Sequence, residues 1–394
     1  MLEKTFYKTI FKHSFGKTFK VVFWDGSEET YGDGTPEFTL RINEVVPVKD
    51  ILADPSITLA EAYMSKKIDL ESDNEFVIED LIVTAFENAT YFLENNKFGS
   101  FLPKKITHNK KESKEYIGAH YDIGNDFYEL WLDSTMTYSG AYFKNDDVTL
   151  EQSQKDKVHH ILSKLSLQPG ERFLDIGCGW GTLIFTAAKE FNVKATGITL
   201  SEEQYRFVKD KIEAEGLQDQ VSVELMDYRD LPDESFDRIS SIGMVEHVGK
   251  ENLPIYYKTI NRLLKPKGVA LVQGISGQRG GGANSWIEKY IFPGGYMPGV
   301  SETVQFITES GLDLIDLESL RRHYQKTLEH WTRNFHAQLP TIRETKDEEF
   351  IRMWDAYLQS CAGAFKVGHI DLVQYLMTKG ANNDLPLTRE YMSN

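Results

Sequence analysis

The run Phe173-Leu174-Asp175-Ile176-Gly177-Cys178-Gly179-Trp180-Gly181-Thr182 restricts what this chain can fold into more than any other. It reads as a buried strand that passes directly into a glycine-rich turn, then a helix through Leu183, Ile184 and Ala187. A turn this tight needs residues without a Cβ, which reach positive φ and let the backbone approach a ligand closely. At the carboxyl end of a first parallel strand, it stands where open α/β sheets hold nucleotide-like cofactors. The spacing departs from the dinucleotide fingerprint, which is G-x-G-x-x-G with an acid about 20 residues on for the ribose. Here the glycines fall at 177, 179 and 181, and the next strand ends Ala195-Thr196-Gly197-Ile198-Thr199-Leu200 without an acid.

Strand and helix patterns alternate around that turn. Strands are expected at 172–176, 193–198, 221–225, 236–242 and 269–274, with helices near 182–191, 201–215 and 254–264. Ser201-Glu202-Glu203-Gln204 has capping-box spacing, and Lys265-Pro266-Lys267-Gly268 closes the third helix by proline and glycine. Beyond 310 come Leu312 to Leu320, a helical stretch over roughly 325–367 and a last strand near 370–377. The expected fold is α/β, a doubly wound Rossmann-like sheet with a helical insertion before its final strand. The first hundred residues read differently. A Val- and Phe-rich run from Phe19 to Trp24, the turn Asp25-Gly26-Ser27, then Thr30 and Tyr31 suggest a hairpin, and helical patterns follow at 59–64 and 77–92. That is a small N-terminal α+β domain, 1–102, joined by a basic, proline-led linker, 103–115, to a catalytic domain, 116–394.

A net charge of −16 opposes nucleic acid as a partner and wholesale attraction to an anionic membrane. A local basic patch still acts within a Debye length. Lys4, Lys8 and Lys12, with Phe6, Phe11 and Phe15 nearby, form either a surface helix for lipid headgroups or solvated lysines over a small core. The basic linker is a second such candidate. Two cysteines in unlike contexts make no disulfide framework. With no long apolar run and no secretion signal, the expected location is cytoplasmic.

The carboxyl ends of the strands collect Gly177 to Gly181, Thr199, Leu200, Gln204, Asp227, Tyr228, Gly243 to His247 and Gln273 to Ile275. Asp227 can accept from an adenine amino group, and Tyr228 offers it an apolar edge. The D-x-G-x-G-x-G turn resembles the first motif of the S-adenosylmethionine (SAM) methyltransferases. Over about 116–380 the chain resembles the cyclopropane-fatty-acyl-phospholipid synthases and their mycolic-acid-modifying relatives. The resemblance rests on blocks in one order: His120 to Tyr128, Thr137-Tyr138-Ser139-Gly140-Ala141-Tyr142-Phe143, Leu174 to Gly181, and Gly197 to Ser201. Gly243 to Gly249, Ile291 to Gly295, His323-Tyr324 and Cys361-Ala362-Gly363-Ala364-Phe365 continue it.

The resemblance implies a SAM methyltransferase sheet and transfer of the SAM methyl to a cis double bond of unsaturated acyl chains in membrane phospholipids. A carbocation results, and loss of a proton from the new methyl closes a cyclopropane ring. It implies a cofactor site of Tyr138, Ser139, Asp175, Gly177, Gly179, Gly181, Thr199, Leu200, Gln204, Asp227, Tyr228 and Gly243. It also implies a bound bicarbonate as base, whose hydroxyl Glu246 accepts, to which Tyr324 donates, and toward which Ile275 offers its backbone N–H. Cys361 matches the family's reactive cysteine, although cation chemistry needs no thiolate and a packing role suits it better. His120 and Tyr121 are expected at the substrate end, and the histidines lack metal-like spacing. A homodimer, peripheral attachment at the inner membrane surface and a lipid-carrier-like N-terminal domain are implied as well. The stretch from Arg279 to Gly282 reads as a mobile loop, either a gate to an acyl channel or a variable connection.

Two departures stand at the anion site: Gly140 where many relatives have cysteine, and Gln273 where they have histidine. Gln keeps a donor but is never charged, and Gly leaves room. The expectation is retained chemistry with altered bicarbonate binding. The same changes leave two other readings open: a C-methyltransferase giving branched or methylene-bearing chains, and a SAM- or lipid-binding protein without catalysis.

Overall fold

The computed structural model describes residues 2–14, 16–95, 123–233, 235–277 and 280–393. Phe15, the linker 103–115, His120, Tyr121 and Arg279 lie outside the described residues. The chain forms two compact units. One draws on Met1–Lys104, Ala283–Ile291 and Leu328–His369, the other on Lys105–Gly282, Phe292–Thr327 and Ile370–Asn394.

The first unit contains the four-stranded sheet β2-β1-β3-β4, built from β1 (Phe19–Val22), β2 (Glu28–Tyr31), β3 (Phe38–Ile42) and β4 (Ile68–Glu71). The expected hairpin is present: β1 and β2 pair antiparallel, and in their turn Asp25 accepts from the Ser27 N–H at 3.1 Å. Helices Pro55–Met64 and Val77–Asn95 stand where the two helical patterns were read. The lysine-bearing segment is the helix Leu2–Ser14. Tyr7 and Phe11 bury its apolar side, and the Phe11 ring meets Phe19 edge-on at 5.8 Å. Lys4 pairs with Asp25 at 2.6 Å and Lys8 with Glu29, so these two lysines serve the hairpin. From the helical insertion, Glu348–Lys366 sends Gln359 to accept from the N–H groups of Ile78 (3.0 Å) and Glu79 (3.3 Å).

The second unit carries a seven-stranded sheet. Its strands are β5 (Arg172–Ile176), β6 (Lys194–Thr199), β7 (Val221–Leu225), β8 (Phe236–Ile242), β9 (Leu264–Gly277), β12 (Asp313–Ser319) and β13 (Ile370–Thr378). The order is β12-β13-β9-β8-β5-β6-β7; β5 to β9 run parallel, and β13 enters antiparallel to β9 with β12 antiparallel beside it. Chain order reverses at β5, between β6 and β8, which is the switch point where such sheets bind ligands. Leu271 and Leu376 face the helix Leu150–Leu165 through Ile161, Leu162 and Leu165. Val272, Val373 and Tyr375 belong to the other face with Tyr256, Tyr257 and Ile260 of Leu253–Leu263.

Two local expectations change. Leu264 already pairs with Phe236, and Val269 with Arg238, so Lys265 to Gly268 form a bulge inside β9, with Lys267 at φ 65. The proline and glycine there bend a strand; the helix has ended at Leu263. Likewise Gly281–Gly282 (β10) pairs with Tyr296–Met297 (β11), and a Cβ on Gly280 would sit 2.6 Å from the Tyr296 hydroxyl. That stretch is a pinned backbone crossing from Gly280 onward. Among the described residues no helix is long and apolar enough to cross a membrane.

The helix Leu150–Leu165 starts at Thr149, whose hydroxyl accepts from the Gln152 N–H at 3.3 Å. Thr149→Ala is expected to cost about 1 kcal/mol. Hydrogen exchange should then accelerate over the first turn; unchanged protection there would deny the cap any role.

Candidate active site

The glycine turn is built by β6. The N–H groups of Gly177 and Cys178 both donate to the Ile198 carbonyl at 3.0 Å, which reverses the chain at the end of β5. Gly177, Gly179 and Gly181 adopt φ of 81, 54 and 86, all left-handed. At Gly177 a Cβ would also lie 3.0 Å from Met244, whereas at Gly179 it would project into open space. Gly179 therefore presents bare backbone to a ligand. Cys178 is buried against Gly197, where a Cβ would come within 2.8 Å of Sγ, so its small size is what that strand crossing requires.

The turn floors an open cavity. Tyr138, Ser139, Lys157, Asp175, Gly177, Gly179 and Trp180 line one side, Thr199, Leu200, Gln204 and Tyr228 another, and Gly243, Met244 and His247 come from the end of β8. Asp175 is held by the Ser240 hydroxyl, which donates to it at 2.6 Å from the neighbouring strand, and burial raises its carboxyl to about 6. Thr199 donates to Gln204 at 2.8 Å and accepts from the Ser201 N–H at 3.1 Å. Ser201 does cap the helix Glu202–Glu215, but Gln204 turns to Thr199 and leaves the reciprocal bond of a capping box unmade. Behind the cavity Tyr128, Trp131, Tyr138 and Trp180 form an aromatic wall, with the Tyr128 ring 5.4 to 5.7 Å from the other three. Trp180 is fixed by donating to Asn125 at 3.0 Å.

Next to it, at the ends of β8 and β9, lies a group of buried polar atoms. Glu246 sits on the single helical turn Val245–His247; its Oε1 accepts from the Ile275 N–H at 2.6 Å, and its buried Oε2 has no partner among the described residues. Burial pushes the Glu246 carboxyl up to about 7, opposed by that backbone hydrogen bond. Gln273 and Gln374 are opposite residues on β9 and β13, both fully buried. Gln374 Nε2 donates to Gln273 Oε1 at 2.8 Å, which leaves Gln273 Nε2 and Gln374 Oε1 without partners among the described residues. Buried unpaired groups of this kind cost about 1–3 kcal/mol each and mark strain or a missing ligand. Gly140 does not leave a void: a Cβ there would lie 2.7 Å from Leu372 and 3.1 Å from the Tyr324 ring. Leu372 and Tyr324 already fill the space.

Comparison with known proteins decides the lineage. The sequence profile described as mycolic acid cyclopropane synthetase matches residues 108–375. The chain belongs to that family. A domain of unknown function matches residues 6–97. Among relatives, a probable fatty acid methyltransferase of Pseudomonas putida is 38% identical over 95% of both chains. The cyclopropane-fatty-acyl-phospholipid synthase of Escherichia coli K12 is 35% identical over 91% of this chain and 92% of that protein. The crystal structure of mycolic acid cyclopropane synthase CmaA1 complexed with SAH and CTAB aligns with a TM-score of 0.64 and 34% identity, over 68% of this chain and 98% of that one. The sheet is thus that of the SAM methyltransferases, as the sequence led one to expect.

Of the twelve residues that the resemblance offered for a cofactor, this cyclopropane synthetase relative brings ten to the cavity. Gly181 instead begins the helix Thr182–Phe191, and both carboxylate oxygens of Asp227 are taken by Arg229 at 2.8 and 2.6 Å. The Ile275 N–H is engaged by Glu246. Cys361 lies in the other compact unit, with its thiol pushed up to about 12 by burial. Sequence reasoning missed Lys157, Trp180, Gln374 and Leu372. For Lys157 a signal existed: it falls between Gln154 and Ile161 on the face of an amphipathic helix that also carries Leu150, Val158 and Leu165. Gln374 and Leu372 act only through strand register, which no local pattern announces.

Proposed function

We propose that this protein transfers the methyl group of SAM to a cis double bond in the acyl chains of membrane phospholipids and closes a cyclopropane ring, with bound bicarbonate as the base. The observation that carries the reading is the pairing of the glycine-floored cavity with Glu246, whose buried Oε2 has no protein partner. The cavity suits the cofactor chemically. The left-handed Gly179 opens backbone to it, Asp175 offers an acceptor for an ammonium, and the buried ring of Tyr228 suits an aromatic base. SAM supplies an electrophilic methyl on a sulfonium; bicarbonate supplies a base that does not add to the cation.

The chain's own residues do the rest. An alkene is a weak nucleophile, so positioning carries much of the rate, and the turn from Gly177 to Gly181 fixes where the methyl donor lies. Tyr138 and Trp180, backed by Tyr128 and Trp131, keep water from the cation and offer π faces to it. Glu246 Oε2 suits the hydroxyl of the anion and Gln273 Nε2 one of its oxygens, so that both of these orphaned groups gain a partner. Tyr324 stands against Gly140 at the same end. In this reading the proton leaves the new methyl as the ring closes, and one adenosylhomocysteine forms per ring. A homodimer attached peripherally to the inner membrane surface belongs to the same proposal.

The test is incubation of the purified protein with SAM and vesicles of cis-unsaturated phospholipid. Upfield cyclopropane proton signals are the expected result, and unmodified chains would sink the reading. One feature favours a second outcome, a branched or methylene-bearing chain: Leu372 packs where relatives have a cysteine side chain, and Gln273 is tied to Gln374. Olefinic methylene signals, or a methyl branch on a retained double bond, would identify it where mass alone does not separate the isomers.

A further inference from the structure

Lys157 is a buried cation with no ion pair among the described residues. It is 2% exposed on the helix Leu150–Leu165, and its ammonium donates to the Ser139 hydroxyl at 2.8 Å. An ammonium has three donors, and lysine is almost never buried without an acid to match it. The same helix shows what a structural lysine receives. Lys164, equally buried, is paired with Glu318 and has Asp316 at 3.8 Å. Lys157 gets a hydroxyl, and it borders the cavity.

We propose that Lys157 receives the carboxylate of the cofactor's amino-acid end, a role that rests on the SAM reading of this cavity. An α-amino acid carries an ammonium and a carboxylate on one carbon. Its receptor needs an acceptor and a cation within a few ångströms of each other. Asp175 and Lys157 line the cavity together, with Ser139 and Gly177, and each acts electrostatically on the other. Burial pulls the Lys157 ammonium down to about 8, opposed by Asp133 and Asp175, so it still carries its proton at neutral pH. The carboxylate is the one anionic group SAM has, and it relieves the cost of a buried, unpaired charge. Gln154, one turn earlier, donates to the carbonyls of Thr137 (3.3 Å) and Ser139 (2.9 Å), so the helix also fixes the strip of chain on which Ser139 stands.

Binding measured by calorimetry, without turnover, tests this. The probes are S-adenosylhomocysteine and its decarboxylated analogue, which keeps the ammonium and the adenosine. The wild-type protein should prefer S-adenosylhomocysteine by about 30-fold or more, the scale of losing one partner of a buried charged pair. In Lys157→Met that preference should fall to within about 3-fold, through weaker binding of the carboxylate-bearing ligand alone. Equal loss of both ligands would make Lys157 a support for Ser139 and overturn the inference, as would unchanged affinity. The wild-type comparison needs no variant to fold. A wild type that binds neither probe overturns the cofactor reading itself, which is a different result from binding both alike.

Discussion

Glu246→Gln is expected to lower turnover by about 10²–10³-fold, the range for loss of a positioned acid–base group, while affinity for S-adenosylhomocysteine stays within about 3-fold. Glu246 stands at the end of β8, beside the cavity rather than in its glycine floor. Gln has the same shape and preserves an oxygen for the Ile275 N–H. What it removes is the second acceptor, Oε2, and replaces it with a donor. An anion hydroxyl then meets a donor where it needs an acceptor. Turnover on phospholipid vesicles and calorimetric binding measured on the same preparation separate the two quantities. Equal loss in both would reduce Glu246 to a structural residue.

The same carboxyl gives a pH signature. Its value of about 7 in the folded chain lies above the ordinary 4.5, because burial disfavours the charged form. The folded state therefore holds this proton more tightly than the unfolded chain. Its contribution to stability is fully present below about pH 4.5 and declines as pH rises through 7. Activity should move the opposite way, rising through pH 7 as the acceptor form fills, and Glu246→Gln should flatten that limb of the profile.

The strand–helix alternation, the glycine turn and the last strand, β13, were legible because each is a local pattern; that β13 runs antiparallel to β9 was not. Period, turn chemistry and strand length place most of them within one or two residues, whereas β9 begins at Leu264, five residues before its expected start. The cavity's acceptors were legible for the same reason: strand ends in a parallel sheet converge whatever lies between them. What failed was chemistry set by pairs distant in sequence. Gly140 reads as a gap until Leu372, 232 positions later on β13, is seen against it. Lysines 4 and 8 read equally as a lipid-facing row or as solvated lysines over a small core, and their partners on the hairpin, Asp25 and Glu29, were not readable. In each case the identity of the residue was readable and its partner was not, because register and packing decide the partner.

Gly274 is the sharpest instance, and it carries the second large effect. Its backbone is ordinary strand, so nothing in φ requires glycine. Yet a Cβ there would stand 2.2 Å from Val245 Cγ1 and 3.5 Å from Glu246 Oε1, well inside any real contact for the first. Val245 is 3% exposed and packed in the core, so it cannot swing aside. It occupies the same helical turn as Glu246, so displacing it displaces the carboxylate. Gly274→Ala is therefore expected to cost about 1–3 kcal/mol in stability by overpacking. Turnover should fall by about 10²-fold, the usual consequence of a 1 Å misplacement, with cofactor affinity little changed. The compensating change is on the other side of the contact. Val245→Ala removes the clashing methyl, and the double variant should recover turnover to within about 10-fold of wild type, even though Val245→Ala alone loosens the core. A fully active Gly274→Ala, or a double variant no better than the single, would break the link between β9 and the Glu246 carboxylate.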